Sequence, residues 1–206
     1  MKIIFITSGK INYIFSGCSL YESILLTAEG KRFPHIVSSA EEINKIVGKM
    51  KILEDAVILS APSSQAKETA DILGRFLGKE AIRDRRLLPL RFDLKRIISE
   101  EEFNSLGGNA FNVLRSRFLD AFFEDRLADK QEDFKKKYHE FMLDVTSRYY
   151  DKTVIAASHS YIIQLFFIYS KVGEKMFKDR NLLRKLFNPS RPLGFLKTIE
   201  MNISYN

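Results

Sequence analysis

Short apolar runs alternate along this chain with longer stretches whose apolar residues recur every three or four positions. That is the pattern of strands alternating with amphipathic helices. Lys2 to Ile6 is the first run, a strand that breaks at Thr7-Ser8-Gly9. Lys10 to Ser38 carries no clean period and holds Gly17, Gly30 and Pro34, which predicts a long loop. Ser39-Ala40-Glu41-Glu42 has the form of a capping box, and Ile43, Ile46, Val47 and Met50 behind it keep helical spacing. Ala56 to Leu59 reads as a buried strand entering the turn Ser60-Ala61-Pro62-Ser63. The helix after it carries Ala66, Thr69, Ala70, Leu73 and Leu77 on one face and stops at Gly78.

Arg83 to Asp93, with Pro89 in its middle, is irregular. Ser99-Glu100-Glu101-Glu102 repeats the capping-box pattern and opens a helix closed by Gly107-Gly108. Two apolar stripes follow, Phe111, Leu114, Phe118 and Phe122, then Phe134, Tyr138, Phe141 and Val145. Thr153 to Ala157 is a strand that leads through Ser158-His159-Ser160 into the apolar helix Tyr161 to Tyr169. Gly194 to Ile199 and Asn202 to Tyr205 read as closing strands.

This order predicts an α/β fold, a three-layer sandwich with a mostly parallel central sheet. The helices at about 95–150 exceed what one crossover needs and are read as a helical cap insertion in a single domain spanning 1–206. In such sheets ligands bind beyond the carboxyl ends of the strands. A site is therefore expected at the turns Thr7-Ser8-Gly9, Ser60-Ala61-Pro62-Ser63 and Ser158-His159-Ser160.

Composition narrows the function. Hydrophobic residues at 45% and charged residues at 29% exclude a disordered chain. The single cysteine, Cys18, excludes an intrachain disulfide and suits a reducing compartment. No His, Cys and acid cluster has metal-ligand spacing, so neither a metal nor another cofactor is expected. No stretch approaches the ~20 apolar residues of a membrane span, and the N-terminal run is shorter than the ~7–15 of a signal-peptide core. A cytoplasmic protein without a membrane partner is the expectation. The net charge is +7, and seven bases against two acids between Lys171 and Arg191 concentrate part of it. A solvated helix face accounts for that segment, and no aromatic-basic motif of RNA-binding proteins accompanies it, so nucleic acid is not an expected partner. His35 and His139 read as surface residues, and the Phe stripes as core and cap packing rather than a cofactor slot. An exposed remainder of those stripes would suit a homodimer.

Four segments, in order, resemble the histidine phosphatase superfamily, of phosphoglycerate mutase-like fold. Met1 to Ile6 followed by Thr7-Ser8-Gly9 is similar to its first strand and Arg-His-Gly turn. Leu26-Thr27-Ala28-Glu29-Gly30 resembles its Leu-Thr-x-x-Gly segment. Leu59 to Ala70 is similar to its Ser-Ser-Pro-x-x-Arg-Ala-x-x-Thr-Ala turn and helix, and Val154 to Ser160 to the late strand ending in Ser-His-Gly. The family's chemistry uses a nucleophilic histidine, two arginines and a second histidine around the phosphoryl group, and a carboxylate that protonates the leaving group. By resemblance, Ser8 stands at the nucleophile, Thr7 and Gln65 at the arginines, Pro89 at the acid and Ile14 at a common asparagine, leaving His159 as the one retained catalytic residue.

A charge-assisted hydrogen bond contributes about 1.5–3 kcal/mol, so two missing arginines remove roughly 3–6 kcal/mol of phosphate affinity. Deleting a catalytic nucleophile costs on the order of 10⁶ in rate. The phosphohistidine mechanism is thus excluded, and whether the chain is an enzyme at all is left open, the balance being against it. One reading is a non-catalytic protein that binds a small phosphorylated or polar ligand, or a partner, through a pocket of Ser8, Gly9, Ser63, Gln65 and His159. The other is a diverged phosphatase or phosphomutase acting on small phosphate esters, with Lys10 and Arg91 supplying charge to a rebuilt pocket. A Ser8–His159 nucleophile–base pair is disfavoured because the two positions flank the phosphoryl group in the family and no carboxylate is evident to orient the imidazole.

Overall fold

The computed structural model describes residues 1–48, 55–189 and 193–203; Met50, Arg191 and Tyr205 of the sequence patterns above lie outside the described residues. Five strands form one sheet, β1 (Lys2–Thr7), β2 (Val57–Ser60), β3 (Ala81–Arg83), β4 (Thr153–Ser158) and β5 (Thr198–Asn202), in the order β3-β2-β4-β1-β5. Neighbouring strands run parallel except β5, which pairs antiparallel with β1. Strands β1 and β4 are central and covered on both sides, hence their unbroken apolar runs.

Alternation along each strand sends side chains to two layers. Ile6, Ile58, Ile155 and Ala157 pack beneath α2 (Ala40–Val47) and α3 (Ser64–Leu77) through Ile43, Val47, Ala70 and Leu73. Helix α3 turns sharply into β3: Gly78 adopts φ +64°, and a Cβ on Gly74 would lie 2.5 Å from the Lys79 carbonyl oxygen. On the other face Ile3, Phe5, Leu59, Val154 and Ala156 meet an aromatic layer. Phe166 of α8 (Ser160–Val172) contacts the rings of Phe5, Phe134, Tyr138 and Phe141, the last three from α7 (Gln131–Arg148). Outside these lies α6 (Ala110–Phe123), where Phe122 meets Phe134 and Phe118 meets Tyr161. The expected three-layer sandwich with a mostly parallel sheet is the one formed.

Four local expectations are corrected. The stretch 10–38 is not all loop, because α1 (Leu20–Ala28) occupies its middle with a complete capping box between Ser19 and Glu22. Its residues Tyr21, Ile24, Leu25 and Ala28 keep helical spacing within a stretch whose Gly17, Gly30 and Pro34 suggest a loop. Before the irregular segment, and ending at its first residue, β3 forms unforeseen, an edge strand of three residues and too short to show alternation, and α4 (Leu94–Ile97) follows the segment. At α5 (Glu100–Ser105) the Ser99 hydroxyl accepts from Glu102 N at 3.2 Å, while the Glu102 carboxylate is bound by Arg117 rather than returning to the cap. Of the two expected closing strands, the first forms later than expected, as β5, with residues 194–197 in a turn that holds Leu196 at φ +52°; the second, Asn202 to Tyr205, lies partly outside the described residues. In the basic segment, α9 (Arg180–Phe187) turns Arg184 onto Asp120 and Arg180 onto Glu124, so α6 neutralises part of it.

Candidate functional site

Parallel register brings the polar turns together. Thr7 pairs with Ser158 and Ser60 with Ala157, so the three strands end at one rim. A cavity of about 270 Å³ opens there, walled by Thr7, Ser8, Gln65, Pro89 and His159 on the sheet side and by Phe111 and Phe118 on the α6 side.

His159 caps the N-terminus of α8 in an extended conformation. Both ring nitrogens are engaged, Nε2 with Ser63 Oγ at 2.8 Å and Nδ1 with Gln65 Nε2 at 3.0 Å. An amide nitrogen can only donate, so Nδ1 accepts and the ring proton sits on Nε2, donated to Ser63. Phe33 packs against the ring at 5.5 Å between centroids. Burial lowers the imidazole pKa to about 4, so the ring is neutral at pH 7. Gln65 is itself 4% exposed, and its Oε1 has no hydrogen-bond partner among the described residues.

The neutral ring sets a pH dependence. An unfolded imidazole titrates near ~6.5. Below that pH the unfolded chain takes up a proton that the folded one refuses, so stability present above it drains away as pH falls towards about 4, and this contribution then levels off. The loss over that window is on the order of 3 kcal/mol. Urea unfolding at pH 7, 5.5 and 4 is expected to show a shallower decline for His159→Gln than for wild type. Equal slopes would contradict a buried neutral imidazole.

The other expected residues divide. Thr7 lines the cavity, but its hydroxyl is occupied, donating to Gly194 O at 2.7 Å and accepting from Lys197 N at 2.8 Å. The position matching the first arginine thus clamps the segment before β5 across the end of β1. Ser8 lines the cavity and is held through its backbone, N to Ser158 O and O to Leu196 N. It does not pair with His159, whose nitrogens are taken. Gly9 and Ser63 lie behind the wall: Gly9 N donates to Thr69 Oγ1, and Ser63 is 1% exposed. The Ser63–His159 contact therefore offers no accessible nucleophile, and Gln65 stands where an orienting carboxylate would be.

Lys10 and Arg91 are not part of the wall. Lys10 is exposed, and Arg91 is tied to Asp129, Nε to Oδ1 at 2.9 Å. Ile14 is 54% exposed, also away from the cavity. His35 is on the surface, paired with Glu68; exposed His139 meets the Tyr169 hydroxyl at 3.1 Å. Sequence reading missed Arg115, Tyr13, Tyr161 and the Leu193–Phe195 segment, all of which line the cavity. It also assigned Phe111 and Phe118 to packing alone. Arg115 carried one readable signal, its position four residues after Phe111 and three before Phe118, on the same side of a helix.

No family model matches the chain, and no curated protein matches it by sequence. Solved structures do match. Bacillus stearothermophilus YhfR aligns with TM-score 0.63 at 14% identity over 98% of this chain and 91% of its own. The mycobacterial glucosyl-3-phosphoglycerate phosphatase Rv2419c, in its complex with inorganic phosphate, gives 0.60 at 14% identity over 98% and 89%. Rv3214 from Mycobacterium tuberculosis gives 0.62 at 8% identity over 99% and 92%. At these identities the likeness is one of fold, the phosphoglycerate mutase-like fold of the histidine phosphatases. No helix among the described residues is long and apolar enough to cross a membrane.

Proposed function

We propose that this chain, built on the histidine phosphatase fold, is catalytically impaired and acts by binding a small polar ligand in the cavity at the strand ends. The observation that carries this reading is the wall itself. At the phosphate end it presents a neutral imidazole, a buried amide with an unpartnered Oε1, and hydroxyls, in place of fixed positive charge. Phosphoryl transfer depends on preorganised cations around the transferring group.

Rv2419c has been solved with inorganic phosphate and with VO3. Inorganic phosphate added to the present chain at millimolar concentrations is expected to leave the His159 imidazole NMR resonances unmoved. Saturable shifts there would overturn the proposal. The alternative, a phosphatase with a rebuilt pocket, draws support from Arg115, a cation in the same cavity. Among the described residues of the wall, however, no Asp, Glu or Cys accompanies it to serve as acid or nucleophile.

A further inference from the structure

We infer that the Arg115 end of the cavity is a carboxylate site, and that the small polar ligand is an organic acid, a carboxylate on an apolar body. This rests on the ligand-binding reading above and names the ligand class. Arg115 projects from α6 into the cavity wall. Its Nε donates to Pro189 O at 2.9 Å and one terminal nitrogen to Asn112 Oδ1, both neutral oxygens. Two residues along the same helix, Arg117 holds the Glu102 carboxylate, and Arg86, Arg91 and Arg184 each hold an aspartate. Among the described residues no acid pairs with Arg115. A guanidinium offers five N–H donors in a planar fork that matches a carboxylate, and among the described residues two hydrogen bonds use it.

The surroundings select what accompanies the anion. Tyr13 and Tyr161 line the cavity, and both lie within the electrostatic reach of Arg115. Phe111, Leu114 and Phe118, on the same helix as Arg115, give the cavity an apolar floor. A volume of about 270 Å³ lies just under the ~300–1,000 Å³ of pockets for drug-sized ligands, enough for a ring with a short chain. A phosphate monoester would put a dianion at a single monovalent cation, Arg115, among the described residues of the wall. An aryl- or alkyl-carboxylate puts one charge on Arg115 and its body on the rings.

The test is calorimetric titration of the wild-type protein with 3-phenylpropanoate and with its primary amide. The acid is expected to bind saturably and about 10–100-fold more tightly than the amide, the factor of one charge-assisted interaction. In Arg115→Gln that preference is expected to vanish. Comparing acid with amide on the wild type needs no variant to fold. Equal binding of the two, no binding of either, or an undiminished preference in a folded Arg115→Gln protein would overturn the inference. Turnover of phosphate esters would instead remove the ligand-binding function on which it rests.

Discussion

Purified wild-type protein is expected to hydrolyse an aryl phosphate and a panel of small phosphate esters no faster than buffer, with His159→Ala indistinguishable from it. On the proposed reading, each part of phosphohistidine chemistry lacks its group for a separate reason. Ser8 presents a hydroxyl with no base, since both nitrogens of His159 are committed to Ser63 and Gln65. Thr7 has its hydroxyl engaged with residues 194 and 197. Gln65 brings an amide where an arginine would bind phosphate oxygens, and Pro89 lines the wall without a proton to give. Loss of a nucleophile costs on the order of 10⁶, which takes an ordinary kcat of about 10 s⁻¹ to about 10⁻⁵ s⁻¹. A steady-state assay with product detection decides it. Turnover in wild type that disappears in His159→Ala would mean a pocket rebuilt around that residue, and the non-catalytic proposal would fall.

The same geometry says why restoring the missing residues would not simply restore activity. An arginine at position 7 would lose the two hydrogen bonds that hold Gly194 and Lys197 over the end of β1. The clamp and the family's phosphate clasp compete for one position.

Phe166→Ala is expected to destabilise the protein by about 3–5 kcal/mol, the range for a fully buried phenylalanine replaced by a methyl group. Phe166 is fully buried and contacts Phe5 from the sheet and Phe134, Tyr138 and Phe141 from α7, so its loss opens a void between two layers. Such a void cannot close without shifting β1 or α7. For a chain of this size each kcal/mol lowers the melting temperature by about 2–4 °C, so a fall of about 10 °C is expected in differential scanning calorimetry. Phe166→Leu keeps most of the volume and should cost far less. A loss below about 1 kcal/mol in the alanine variant would show that this ring is not the keystone of the aromatic layer.

The sheet, the two Phe stripes, and the helices after Ser39 and Ser63 were legible because each rests on nearest-neighbour rules. Strand faces alternate, helix faces recur, and caps take Ser with Glu three residues on. Helix α1 was passed over although Ser19 and Glu22 form a capping box and Tyr21, Ile24, Leu25 and Ala28 keep helical spacing, because Gly17, Gly30 and Pro34 around it pointed to a loop. Strand β3 was not legible because pairing with β2, not its own three residues, makes it a strand.

The candidate site divides the same way. Its location followed from the three polar turns, since parallel register forces strand ends onto one rim. By itself the sequence determined the layered fold and pointed to the strand ends as the place of a candidate site. These are matters of residue type and local spacing. Only the tertiary structure decided that Thr7 is a clamp, that Ser63 lies behind the wall, that Lys10 and Arg91 point elsewhere, and that Arg115 enters the cavity. These depend on contacts between residues far apart in the chain, such as the 94 positions between Gln65 and His159, and no local pattern encodes such distances.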